Sequence, residues 1–186
     1  MRASVLFAAL LLAACGRDPL RIAVPPIAAQ DSIAVGFASV EVLEVSLPEY
    51  ADGDDIFVQG QGGALSAAAG VSWADDPSRA LTLELTRLLN DLTPATAAPD
   101  PWPFDEPAEA RLDIRAEQFA PDLTLGAFVL RGQYFVAALD ESGRNRARTF
   151  AITAALPPSA GPAAIAYARS QATLALARQI AAEGLQ

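Results

Sequence analysis

Leu12-Ala13-Ala14-Cys15 sets the chain's one thiol directly after an apolar run and two small residues. That is the arrangement in which a bacterial lipobox cysteine is acylated on sulfur, cut free at its nitrogen and usually acylated there as well. Met1-Arg2 supplies a positive start and Val5 to Leu12 an apolar stretch, so residues 1–14 read as a secretory signal. The stretch is too short to span a bilayer, which needs about 20 apolar residues. Cys15 is therefore the expected lipidation site, bearing palmitate-type chains. One acyl chain holds only marginally at about 0.8 kcal/mol per buried CH2, and two or more anchor stably. Gly16 follows, where an aspartate would retain a lipoprotein in the inner membrane. The expected location is the outer membrane, with the domain in the periplasm.

The remaining inventory argues against catalysis. There is no histidine, and all 13 basic residues are arginine. The usual general base and zinc ligand are missing. Without lysine there is no P-loop, Ser-Lys dyad or Schiff base. No serine sits in a G-x-S-x-G elbow. Asp52, Asp54 and Asp55 could begin a calcium loop, but Ile56 stands where a third ligand is wanted. A solvated turn is the expectation. Asp75 and Asp76 are adjacent, so their side chains diverge, and Asp76 before Pro77 reads as a helix N-cap. The expectation is a protein that is not an enzyme, with no cofactor and no metal.

Binding residues are then the question. Trp102 and Phe104 lie between prolines, where an aromatic either plugs a sheet edge or anchors a partner. Trp73, just ahead of a helix, reads as core. Arg144, Arg146 and Arg148 cluster at a hairpin, either as a solvated turn or as a contact for anionic lipid or an acidic partner. Net charge is −9, and its distribution is uneven. Residues 16–143 carry 7 Arg against 21 Asp and Glu, while residues 144–186 carry 5 Arg against 1 Glu. An acidic body does not suit nucleic acid.

These groups need elements to position them. Residues 15–30 read as a lipidated N-terminus and proline-bearing tether, with one domain over 31–186. Asp31 to Leu47 is β-like with slipping phase, and Ile56 to Gln59 is a short strand. Ala64 to Trp73 is a further short strand or irregular chain. Leu81, Leu85, Leu88, Leu89 and Leu92 recur on one helical face. Pro94 to Pro107 reads as a loop. Glu109 to Glu117 alternates cleanly, with a break at Ala120-Pro121-Asp122. Leu123 to Leu139 reads as a central strand kinked at Gly132, and Arg146 to Ala155 as the next. Gly161-Pro162 opens a final helix with the stripe Ile165, Ala168, Ala172, Leu176 and Ile180, and Gly184 as its C-cap. The predicted fold is α+β: a two-layer sandwich of an antiparallel sheet with two helices on one face.

At this level the chain resembles the ABC-type transport auxiliary lipoproteins, the PqiC/YmbA-like family. The resemblance rests on the lipobox, "VEVLEVSLPEYADGDDIFVQ", "VSWADDPSRALTLELTRLLNDL", "ARLDIRAEQF" and "ARSQATLALARQIA", in that order. Where family members often have leucine after the tyrosine, this chain has Ala51. The resemblance implies a periplasmic accessory of a lipid ABC transporter whose partner is an MCE-domain component, serving phospholipid traffic between membranes and membrane integrity. A homo-oligomer around the exit path is expected. The alternative is an assembly or pilot lipoprotein scaffolding another outer-membrane complex.

Overall fold

The computed structural model describes residues 18–158 and 161–186. The expected signal and Cys15 lie outside the described residues.

The best-ordered pattern in the sequence builds the centre of the sheet. Strand β6 (Ala110–Asp122) pairs antiparallel with β7 (Ala127–Ala138), which pairs antiparallel with β8 (Arg146–Ala155). Successive side chains alternate between faces. Ala110, Leu112, Ile114, Leu130, Tyr134, Val136 and Phe150 point into the core, while Arg111, Arg115, Arg131 and Gln133 stay exposed. β6 does not break at Pro121. It runs to Asp122 through a register shift between Ala116 and Gln118. Gly132 faces that irregularity, where a Cβ would lie 2.2 Å from the Arg115 carbonyl oxygen.

The other edge of β6 overturns the expectation of an antiparallel sheet. β2 (Ser39–Val42) pairs in parallel with the start of β6 and with β5 (Thr96–Pro99). β3 (Asp55–Gln59) joins the far end of β6 in parallel through Gln59 and Asp122. β3 pairs antiparallel with β4 (Leu65–Trp73), and β1 (Leu20–Ile22) pairs parallel with β4. The result is a mixed eight-stranded sheet in which four of seven strand pairings are parallel. The physical reason is connectivity. β4 leads into α1 (Pro77–Leu92) and then β5, so β5 returns beside β2 by a helical crossover.

α1 starts as its sequence demands. The Asp76 carboxylate accepts from the Arg79 N–H at 2.8 Å, and Pro77 occupies the first turn. Five of its six leucines, Leu81, Leu85, Leu88, Leu89 and Leu92, are buried, while Leu83 is exposed. α2 (Pro162–Gln179) carries its predicted stripe into the core, and Ala166, Arg169, Ser170, Thr173 and Ala177 are buried with it. A π-helical turn follows over Ile180–Gly184. Gly184 does not act as a left-handed cap. A Cβ there would lie 2.8 Å from Cε2 of Tyr134, so its role is close approach of the helix end to β7. Both helices share one hydrophobic core with the inner face of the sheet.

Two stretches differ from expectation for one reason. Asp31 to Ala38 is not a strand: the Ile33 N–H donates to the Leu92 carbonyl and the Gly36 N–H to the Leu185 carbonyl. The segment caps the ends of both helices, whose last carbonyls need donors. Residues 20–30, placed in a tether by the sequence reading, lie along the domain. Ile22, Val24 and Ile27 pack on the core, and Asp31 is clamped to Arg178 at 2.7 Å.

Candidate functional site

A cavity of about 330 Å³ opens between the segment Ile22–Pro26, the end of β4 and α1, with Trp73, Leu83, Glu84 and Arg169 in its walls. Small-molecule sites typically span about 300–1,000 Å³. Arg169 projects from α2 and its side chain is only 2% exposed. Its guanidinium sits 5.5 Å from the Trp73 ring and 5.5 Å from the Phe119 ring. Glu84 of α1 faces it at 3.6 Å, which is an ion pair but not a hydrogen bond. Arg169 Nε and Nη2 and Glu84 Oε1 have no hydrogen-bond partner among the described residues. Burial pushes the Glu84 carboxyl above its usual value, against the pull of Arg169 and Arg87. Burial likewise lowers Arg169, offset by Glu84 and Asp75.

Neither residue figured among the sequence candidates. The available signal was an arginine within the small-residue stripe of α2 and a glutamate among the leucines of α1. Either charge is costly on an apolar face unless paired. Trp73 is buried as expected, and it forms part of the floor beneath Arg169.

The predicted contact residues are not brought together. Trp102 and Phe104 lie in the loop after β5, with Phe104 53% exposed and neither ring in the hydrophobic core. The two rings meet edge to face at 5.0 Å, and Trp102 Nε1 donates to the Glu106 carbonyl at 2.7 Å. The pair is a self-supported projection rather than a plug. Arg144, Arg146 and Arg148 lie beside β8, four strands from β5, roughly 19 Å at about 4.8 Å per strand. Arg144 is occupied: it pairs with Asp140 at 2.7 Å and stacks 4.0 Å from the Phe37 ring. Hydrogen bonds from Ser142 and then Arg144 hold the Asp140 carboxyl down at about 2. Among the described residues, Arg146 and Arg148 bond only to neighbouring carbonyls.

The acidic candidates are structural. Asp52 accepts from the Ser78 hydroxyl, Asp54 pairs with Arg21, and Asp75 with Arg79. No group of three or more His, Cys, Asp or Glu placed to hold a metal occurs among the described residues. No helix among them is long and apolar enough to cross a membrane.

A helix-backed mixed sheet thus carries an exposed aromatic loop and an aromatic-floored cavity. The chain belongs to the family of ABC-type transport auxiliary lipoprotein components, whose model matches residues 20–181. That family is a transport accessory class, not an enzyme class. The fold is similar to the crystal structure of an uncharacterized protein, with TM-score 0.71 at 18% identity, covering 88% of this chain and 97% of that one. It is also similar to protein XCC0632 from Xanthomonas campestris, of family DUF330, with TM-score 0.65 at 20% identity, covering 90% and 92%. A comparison with curated proteins finds no match.

Proposed function

We propose that this chain is an accessory lipoprotein of an ABC/MCE-type lipid transport system, acylated at Cys15 and anchored in the outer membrane. Its domain docks the transporter's periplasmic MCE component and holds it there, as a homo-oligomer around the exit path for phospholipid. The observation that carries this reading is the family match over residues 20–181, beginning five residues after the lipobox cysteine. The exposed Trp102–Phe104 pair is the docking element on this reading. Trp102→Ala with Phe104→Ala should abolish pull-down of a co-encoded MCE component while leaving the thermal melt almost unchanged, because Phe104 contributes no core area. A lost melt with retained pull-down would move the interface elsewhere. No association of the lipidated protein with any co-encoded periplasmic component would defeat the transport reading.

A further inference from the structure

Strand directions sort the loops into two ends of the molecule. β6 and β3 run toward one end, where Gln59 meets Asp122. The β6–β7 turn, the β3–β4 loop and the end of β8 all lie there, since Asp122 pairs with Ala127 and Ala127 with Ala155. α2 starts from the same end, because its last residue, Gln179, reaches back to the Thr149 carbonyl near the start of β8. The segments that build this end are residues 60–68, 123–129, 153–158 and 161–165, and none contains Asp, Glu, Lys or Arg. A protein surface is usually about 25–35% charged, and the rest of this chain is strongly acidic. Asp122, just before the turn, is buried, its carboxylate consumed by the Thr124 and Leu125 N–H groups, the Thr124 hydroxyl and the Gln59 amide. That bonding fixes a turn whose Leu123 and Leu125 are each 65% exposed, and Leu65 on the neighbouring loop is 38% exposed. Single exposed leucines are ordinary, but a cluster on an uncharged end is not.

The N-terminal chain shows what this end meets. β1 runs parallel to β4, and β4 runs away from the leucine end, so the chain preceding Leu20 leaves the sheet toward it. Cys15 is five residues upstream, a reach of at most about 18 Å. We propose that the uncharged end is the membrane-facing surface of the domain, with Leu123 and Leu125 inserted among the lipids of the leaflet that holds the anchor. This rests on acylation of Cys15, as proposed above, and it replaces a domain standing off on a long tether with one seated on the bilayer.

The test uses lipidated protein in vesicles of phosphatidylethanolamine and phosphatidylglycerol, with and without brominated acyl chains. Acylation consumes Cys15, so an introduced thiol takes an environment-sensitive fluorophore selectively. Labels at Leu125→Cys and Leu65→Cys should shift blue and be quenched several-fold by bromolipid. A label at Ala147→Cys, exposed near the opposite end of β8, should do neither. Leu123→Glu with Leu125→Glu should abolish quenching at Leu65→Cys while the protein stays with the vesicles. Equal quenching at Leu125→Cys and Ala147→Cys, or a solvent-like label at Leu125→Cys on protein whose mass shows acylated Cys15, overturns the membrane-facing end and leaves the anchor standing. Protection of that label only when a partner protein is added has the same force and makes the end a protein interface. An unacylated Cys15 overturns the anchor and the seating together.

Discussion

The pairing of Arg169 with Glu84 can be taken apart with two substitutions that have different pH dependence. At 3.6 Å and an effective dielectric of about 20, the attraction is about 5 kcal/mol. Desolvating each ion costs several kcal/mol, so the pair stands near break-even. Glu84→Gln leaves a buried cation that cannot discharge, a loss of about 3–5 kcal/mol at any neutral pH. Arg169→Met leaves a carboxyl that can take a proton instead. Keeping Glu84 neutral in the fold costs about 1.4 kcal/mol for each pH unit above 4.5, its ordinary value. The Arg169→Met penalty should therefore grow as pH rises from about 5 to about 7, by at most about 1.4 kcal/mol per unit. The sign follows from proton binding: a carboxyl raised in the fold holds its proton more tightly there, so stability falls as pH rises above 4.5. Replacing both, Glu84→Leu with Arg169→Met, should come within about 1 kcal/mol of the parent. Urea unfolding of each variant across this pH range reads all three numbers. A flat pH dependence for Arg169→Met, or a double variant costing the sum of the singles, would refute the reasoning.

Gly132→Ala drives a methyl into the Arg115 carbonyl and should destabilise by at least about 1–3 kcal/mol, read by urea midpoint; an unchanged midpoint would mean the β6–β7 irregularity relaxes freely. Burial, with Glu183 adding to it, pushes the Tyr134 hydroxyl up to about 12, so stability should fall as pH rises from 10 toward 12. Tyrosinate absorbance should show one of the three tyrosines lagging the others, and Tyr134→Phe should remove that lag. Asp76→Ala removes the cap of α1 and should cost about 1 kcal/mol, whereas Asp76→Asn should cost a few tenths.

Local rules were legible where one local cause dominated. Asp76-Pro77 specified the start of α1, and the alternation through Ala110, Leu112 and Ile114 specified the inner face of β6. The motifs between Val40 and Ala181 were legible as those of the family whose model matches residues 20–181. Strand direction was not legible, because β2, β5 and β6 pair in parallel through residues far apart in sequence and no periodicity encodes that. The slipping phase of Asp31 to Leu47 had a different origin: residues 31–38 are not strand, and their apolar residues pack on the core while the Ile33 and Gly36 amides serve helix ends. The proline at 121 read as a break, yet a strand accepts proline where the ladder needs no N–H. Arg169 was invisible as a site residue because its setting, against two rings and beside Glu84, comes from three elements that meet only in the fold.

On the proposed anchor at Cys15, β1 would give the attachment to the membrane a mechanical character. Force on the chain before Leu20 acts along the strand, so the three register pairs with β4, Leu20 to Val71 through Ile22 to Trp73, are loaded together in shear rather than peeled one at a time. The Arg21–Asp54 ion pair ties the middle of β1 past β4 to the chain just before β3. Beyond it, the clamp of Asp31 to Arg178 ties the same segment to α2, the helix buried over most of its circumference. Tension from the bilayer would thus pass from a short edge strand into the centre of the domain, and the wall of the cavity formed by Ile22–Pro26 lies on that line of force between the two fastenings.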